Sequence, residues 1–142
     1  MKFRIARHTL RLEPILQFYT GLLGLEVLAA FESHDGYDGI FIGKRGLDWH
    51  LEFTRTDGAE LERHMDEDDL LVFYPEDRAE LEQIRNRLGD AGLQPVQPKN
   101  PYWAANGVMY LDPDGYRIVV SPQKVKEDQS GKFTGTAGKN PS

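Results

Sequence analysis

Two halves of the chain show the same order of hydrophobic and polar positions. In the first half, apolar residues alternate with polar ones over residues 2–9, and they recur at helical spacing from Pro14 to Leu23, where Gly24 ends the pattern. Three further alternating segments, separated by turn-rich sequence, predict strands at residues 25–31, 37–43 and 48–54. This half therefore predicts the order βαβββ.

The second half repeats that order with shorter segments. An alternating stretch predicts a strand over residues 69–74, and residues 78–88 place apolar side chains on one helical face before Gly92. Three short strands are predicted near residues 93–97, 107–111 and 116–121, the last two joined by a DPDG turn. The segment NPYWAANG, which precedes the second of these strands, is interpreted as a loop. We therefore predict an α+β fold built from two βαβββ modules.

The modules are predicted to form one domain over residues 1–122. Module one spans 1–56, an acidic turn-forming connector spans 57–68, and module two spans 69–122. Residues 123–142 are rich in Gly, Ser and Lys and carry almost nothing apolar. Such a composition cannot offset the entropy of ordering the chain, so we expect a flexible C-terminal tail.

The composition indicates which classes of partner and which compartment are to be expected. The 142 residues carry 17 Lys and Arg against 23 Asp and Glu, a formal charge of −6, which is the wrong sign for binding nucleic acid through its phosphates. No segment approaches the roughly 20 apolar residues that cross a bilayer, and the absence of cysteine favours the cytoplasm. A chain of this length buries a core without a metal, so any bound metal is expected to be functional rather than structural.

Ionisable side chains collect on one face of the first predicted sheet. In the strand WHLEFT the period of two separates Trp49, Leu51 and Phe53 from His50, Glu52 and Thr54. The first strand sorts in the same way, with Phe3 and Ile5 toward the helix and with the opposite face formed by Arg4, Ala6 and His8. If two modules pair their sheets, these polar faces line a shared concavity, which Asp69 could also enter. That concavity is the candidate site.

Four segments resemble a known superfamily. RIARHT, LQFYTGLLGLEVL, WHLEF and MYLDPDGYRIVV resemble the glyoxalase, bleomycin-resistance and extradiol-dioxygenase proteins, which form the vicinal oxygen chelate (VOC) superfamily, over roughly residues 2–121. HDGYDG, WHLEFT and NPYW resemble a bacterial branch of it. The resemblance implies a cup-shaped fold of two βαβββ modules, a small-molecule ligand and a homodimer; it implies a fold more directly than an activity.

The resemblance also implies where a metal would be held. In the register of the superfamily the four ligand positions fall on Arg4, Glu52, Asp69 and Val119. A guanidinium and a valine cannot ligate a cation, so this set is incomplete and we expect no metal cofactor. A divalent metal remains possible through an offset set that recruits histidines, consisting of Glu52, Asp69, His8 and His50.

Each candidate residue has a functional and a structural interpretation. Arg4 either fills the vacated metal position as an ion pair with Glu52 and Asp69, or binds an anionic group of a ligand. His50 and Glu52 are the candidate catalytic groups, although His50 and His8 could equally be hydrogen-bonded structural histidines. The candidate ligand-binding residues are Arg4, His8, His50, Glu52, Tyr102, Trp103 and Asn106.

The aromatic pair Tyr102 and Trp103 is predicted to form a ligand wall, with Asn106 adding a hydrogen bond, although aromatic residues also serve as core and Asn before Gly is a plain turn signal.

Three functions follow from these interpretations. The first is a metal-independent binder of a small anionic or aromatic molecule, similar to the bleomycin-resistance proteins. The second is a divalent-metal-dependent enzyme, either a glyoxalase-like lyase or a dioxygenase. The third is a noncatalytic domain that acts through its dimer surface.

Overall fold

The computed structural model describes residues 1–62, 64–122, 126–127 and 133–134. Its internal contacts divide the chain into two units, Met1–His64 and Met65–Ser142. The boundary falls inside the segment predicted as a connector. In the described part of the chain, no helix is both long and apolar enough to cross a membrane.

The first unit is a four-stranded sheet with one helix. Its helix, Leu12–Leu16, continues directly into a π-helical turn, Gln17–Leu22. The elements in chain order are β1 (Phe3–His8), α1 (Leu12–Leu16), β2 (Glu26–His34), β3 (Tyr37–Gly43) and β4 (Trp49–Thr56). The strands lie in the order β1-β4-β3-β2, with β1 parallel to β4 and the other neighbours antiparallel. The predicted βαβββ order is confirmed for this unit.

The core of the first unit lies between the helix and one face of the sheet. Ile15, Phe18 and Tyr19 are buried on the helical side, and Leu51 and Phe53 are buried on the strand β4. The rings of Tyr19 and Phe53 lie 5.0 Å apart. The predicted alternation of β4 is therefore confirmed, because its odd-numbered residues face the helix and its even-numbered residues face away.

A buried arginine belongs to this core. Arg7 is 9% exposed, its Nη1 donates to the hydroxyl of Tyr19 at 3.1 Å, and its guanidinium lies 5.1 Å from the centroid of the Phe53 ring. Burying a guanidinium is costly unless its N–H groups have partners. The hydroxyl of Tyr19 and the face of Phe53 both offset that cost.

The prediction that Phe3 lies under the helix is wrong, because its side chain is 60% exposed. The helical side chains contact Arg7 and Phe53, which are register partners near the end of β1. Phe3 lies four residues earlier on the same strand, roughly 13 Å away. The helix does not cover that end of the sheet.

The second unit is a three-stranded sheet with two helices and a separate short pair of strands. Its elements are β5 (Leu70–Phe73), α2 (Arg78–Asp90), α3 (Pro101–Asn106), β6 (Val108–Leu111), β7 (Arg117–Val120), β8 (Lys126–Glu127) and β9 (Phe133–Thr134). The main sheet has the order β5-β7-β6, with β5 parallel and β6 antiparallel to β7, while β8 pairs with β9. Apart from β8 and β9, the predicted tail at 123–142 lies outside the described residues.

Local sequence signals explain the start of α2 and the turn between β6 and β7. The side chain of Asp77 accepts from the backbone N–H of Glu80 at 2.8 Å, which caps the helix. In the DPDG turn, Asp112 Oδ1 accepts from the N–H groups of Asp114 and Tyr116 at 2.9 and 3.0 Å. Both features follow from the ability of a short acidic side chain to bond nearby backbone.

Two predictions for the second unit are wrong. The strand predicted at 93–97 is reduced to a single bridge between Val96 and Met109, because Pro95 and Pro98 have no N–H to extend the ladder. The predicted loop NPYWAANG contains α3. Asn100 caps that helix by accepting from Tyr102 N–H at 3.0 Å, and Pro101 occupies its first turn. The second unit therefore has a single bridge in place of its predicted second strand and a helix in place of the predicted loop.

We expect Tyr19→Phe to lower the free energy of unfolding by roughly 1–3 kcal/mol, because it removes an acceptor from the buried guanidinium of Arg7. Urea unfolding followed by fluorescence measures the change. Tyr37→Phe is the matched control, since Tyr37 is 44% exposed, and its effect should stay within roughly 0.5 kcal/mol. Equal effects of the two variants would contradict this account of the core.

Candidate functional site

The candidate site lies on the face of the first sheet that points away from the helix. Strand register defines its members: Arg4 is paired with His50 across β1 and β4, and Phe41 is paired with Glu52 across β3 and β4. Paired residues on neighbouring strands point to the same side of a sheet. Arg4, Phe41, His50 and Glu52 therefore share this face, and we call them the Arg4 cluster.

Arg4 contacts the three other members of the cluster. Its Nε donates to Nε2 of His50 at 2.8 Å, and its Nη1 lies 3.5 Å from Oε2 of Glu52. The guanidinium carbon lies 4.6 Å from the centroid of the Phe41 ring, a cation–π distance. The rings of Phe41 and His50 meet edge to face at 5.6 Å. One cation thus organises an imidazole, a carboxylate and an aromatic ring.

The contacts fix the protonation pattern of the cluster. A guanidinium donates hydrogen bonds and never accepts them, so Nε2 of His50 must be the acceptor. The imidazole is then neutral, with its proton on Nδ1. The side chain of Arg4 is 49% exposed and that of Glu52 only 16%. The carboxylate therefore lies beneath a positive group that faces outward.

Part of the Arg4 guanidinium is available to a ligand. Its Nε and Nη1 are engaged by His50 and Glu52, whereas its Nη2 has no hydrogen-bond partner in the regions that the structure describes. A planar guanidinium offers paired N–H groups that match a carboxylate or phosphate. The exposed end of the Arg4 guanidinium can therefore bind an anion while its Nε still donates to His50.

The residues of the cluster do not fit a metal ion. Nε2 of His50 and the carboxylate of Glu52 are the two donors with the right chemistry, and both are engaged by the guanidinium of Arg4. A cation placed between them would have to displace a permanent positive charge or lie against it. Over residues 1–62, 64–122 and the two short terminal strands, no three His, Cys, Asp or Glu side chains are grouped to hold a metal.

Two other predicted metal ligands occupy different environments. His8 lies on β1 on the same face as Arg4, and its Nε2 is buried with no hydrogen-bond partner among the described residues. Asp69 belongs to the second unit, where its side chain accepts from the backbone N–H of Asp66 at 2.9 Å and is exposed. Asp69 thus stabilises the turn before β5. Val119, at the remaining position, is fully buried in β7.

The predicted ligand wall lies in the second unit on α3. Tyr102 and Trp103 are half-buried, and their rings meet edge to face at 4.8 Å. The amide of Asn106 donates to the carbonyl of Tyr102 at 2.9 Å, which closes the helix end. Burial raises the pKa of the Tyr74 hydroxyl above its usual value, and the neighbouring Tyr102 raises it further. These side chains form an aromatic group of their own within this unit.

Phe41 is a member of the site that the sequence did not identify as a candidate. Its side chain is half-buried on the polar face, between Arg4 and the ring of Phe31, whose centroid is 5.8 Å away. The alternation within β3 separates Phe41 from Ile40 and Ile42, which are buried on the other face. That alternation could have placed Phe41 on the polar face, but only the register between β3 and β4 shows that this face is the one that carries Glu52.

Solved structures show which class of protein this fold defines. Glyoxalase I of Leishmania major superposes with a TM-score of 0.65 at 20% identity, over 83% of each chain. TnmS3, an antibiotic-binding protein from Streptomyces sp. CB03234, superposes with a TM-score of 0.60 at 20% identity, over 85% of this chain and 93% of its own. The α+β fold is that of the VOC superfamily, as the sequence motifs indicated.

Closer similarity identifies the family within that class. Family models of the YycE-like N-terminal and C-terminal domains match residues 3–54 and 68–121. The YycE protein of Bacillus subtilis is 42% identical over 123 residues, which is 87% of this chain and 88% of that protein. Its crystal structure, described as that of a protein of unknown function, has a TM-score of 0.79 over 92% of this chain and 93% of its own. The chain belongs to the YycE-like family.

The hydrogen bond from Arg4 predicts an unusual tautomer for His50. In a mildly alkaline buffer, nitrogen-15 NMR should show the proton of the neutral imidazole on Nδ1, because Nε2 accepts from Arg4. In Arg4→Met the bond is lost, and the Nε2–H form should appear. His34, whose side chain is 78% exposed, is the internal control and should not change. An Nε2–H tautomer of His50 in the unsubstituted protein would contradict the geometry.

Proposed function

We propose that this protein is a metal-independent binder of a small anionic or aromatic molecule, held on the Arg4 cluster. The observation that supports the proposal most strongly is the arrangement of Arg4 itself. Its guanidinium is fixed by His50, Glu52 and Phe41, yet half of the side chain is exposed. A cation held rigidly with donors to spare loses little conformational entropy when it binds an anion.

Glu52 has a role in this proposal without binding the ligand. A carboxylate under the guanidinium balances its charge when the site is empty, which lowers the cost of keeping Arg4 partly buried. An anionic ligand then approaches from the exposed side and shares the same cation. Removal of Glu52 should therefore disturb the position of Arg4 more than it changes the ligand contacts.

The metal-dependent alternative requires a different arrangement of the same residues. A glyoxalase-like lyase or a dioxygenase would need His50 and Glu52 turned toward a cation, and both are turned toward Arg4. The VOC scaffold carries both kinds of function, since one structural relative is glyoxalase I and another, TnmS3, is an antibiotic-binding protein. The cluster favours the binding function for this chain.

Several other expectations belong to the same proposal. We propose a small-molecule partner, a homodimer and a cytoplasmic location, the last supported by the absence of cysteine. We also propose that Tyr102 and Trp103 contribute an aromatic wall to ligand binding, supported by their half-buried and mutually packed rings. Sedimentation velocity tests the homodimer, and Trp103→Ala tests the wall.

The test of this function is a thermal-shift screen with benzoate, phenylphosphonate and methylphosphonate on three proteins: the unsubstituted chain, Arg4→Met and Arg45→Met. Arg45 is the matched control, because its side chain is 87% exposed and its ion pair with Glu26 is long, at 3.9 Å. We expect at least one anion to raise the melting temperature of the unsubstituted chain and of Arg45→Met. Arg4→Met should bind that anion at least roughly tenfold more weakly, the loss of one charge-assisted contact.

Two outcomes would contradict the proposal. Equal stabilisation of Arg4→Met and Arg45→Met would place the anion elsewhere. No stabilisation by any of the three anions would favour the noncatalytic dimeric domain, whose function lies in its surface rather than in a ligand site.

A further inference from the structure

A row of aromatic rings continues from the Arg4 cluster across the neighbouring strands. The ring of Phe41 is followed by that of Phe31 on β2, 5.8 Å away and tilted by 46°. The ring of His34, near the tip of the β2–β3 hairpin, lies 6.1 Å beyond Phe31 and meets it edge to face. The row begins at a cation and extends outward along one face of the first sheet.

Gly39 determines how Phe31 lies on the sheet. The two residues are register partners on β2 and β3, and Gly39 is buried although it has no side chain. A Cβ atom built on Gly39 would overlap the ring of Phe31. The ring therefore lies across the backbone of β3 at a place where any other residue would push it away. Phe31 is half-buried, so part of its surface is accessible to a ligand.

The two phenylalanines offer different surfaces to a ligand. The ring of Phe41 already has the guanidinium of Arg4 over it, at 4.6 Å from its centroid. Among the residues that the structure describes, no cation lies over the ring of Phe31, which is the next ring beyond Phe41. The next free apolar surface beside the charge of Arg4 is therefore the ring of Phe31.

We infer that the ligand is a planar aromatic acid, with its acidic group on Arg4 and its ring stacked on Phe31. The inference rests on the proposed function, and it names the substrate class of the same site. It assigns Phe31 as the residue that selects aromatic over aliphatic acids, with Gly39 as its positioning residue. Stacked aromatic pairs gain attraction beyond the area they bury, and an aliphatic ring of similar size does not provide the same geometry.

The test compares two acids of equal charge, 2-naphthoate and cyclohexanecarboxylate, by isothermal titration calorimetry with the full chain. The unsubstituted protein should bind 2-naphthoate more tightly. Phe31→Leu keeps an apolar side chain and removes the ring. It should therefore lower the affinity for 2-naphthoate roughly two- to tenfold and change the affinity for cyclohexanecarboxylate by less than about twofold. Phe3→Leu is the matched control, because Phe3 is an exposed phenylalanine on the other face of β1, and it should change neither affinity.

A second variant tests the role of Gly39 independently. Gly39→Ala keeps the ring of Phe31 but displaces it. It should therefore lower the affinity for 2-naphthoate about as much as Phe31→Leu does. The double variant should show no further loss, because both substitutions act on one ring. Unchanged melting temperatures verify that each variant is folded, and if Phe31→Leu fails to fold, Gly39→Ala alone carries the test.

The outcomes separate this inference from the proposed function. If both acids bind equally, are unaffected by Phe31→Leu and are lost in Arg4→Met, the aromatic selection is wrong and the anion-binding function stands. If 2-naphthoate binds and is unaffected by Arg4→Met, the proposed function is wrong as well. If neither acid binds the unsubstituted protein, the aromatic-acid inference is overturned, and the thermal-shift screen with the phosphonates decides separately whether the anion-binding function stands.

Discussion

The hydrogen bond from Arg4 to His50 is the interaction on which the rest of the site depends. It sets the tautomer of the imidazole, holds the guanidinium over Phe41 and keeps it within 3.5 Å of Glu52. The bond exists because β1 and β4 run parallel in a register that pairs these two residues directly. The pairing of β1 with β4 therefore determines the side-chain contact on which the site depends.

A guanidinium at this position changes the chemistry available to the VOC fold. A bound metal polarises a ligand and activates water, whereas an arginine offers charge and directed hydrogen bonds without Lewis acidity. His50 cannot accept a proton at Nε2 while it accepts the bond from Arg4, so it is poorly arranged as a general base. This arrangement supports the proposed binding function.

The sequence predicted those features that depend on alternation within one strand. The separation of His50 and Glu52 from Leu51 and Phe53 follows from a period of two. The pairing of Arg4 with Glu52 was implied by the resemblance to the superfamily and its ligand register. The place of Phe31 did not follow, because β2 carries register shifts on both sides of it, between Val27 and Ala29 and between Phe31 and His34. A bulge reverses the alternation, and nothing local in the sequence marks where it falls.

Two other predictions were wrong for reasons that the structure explains. Asn100 and Pro101, a capping residue followed by a first-turn proline, mark the start of the helix α3, but the segment does not fit a strand and was interpreted as a loop. Phe3 was assigned to the core because its pattern fits, and only the position of the helix shows that this end of β1 is uncovered. Such features depend on which element covers which part of a sheet, and strand periodicity alone does not specify that.

The most direct test of the central claim, that Arg4 takes the place of a metal, is zinc content per chain after incubation with zinc and dialysis. The proteins compared are the unsubstituted chain, Glu52→Gln and Arg4→His. We expect almost no zinc in the first two proteins and about one equivalent in Arg4→His, where a third ligand joins His50 and Glu52. About one equivalent in the unsubstituted chain that is lost in Glu52→Gln would contradict it.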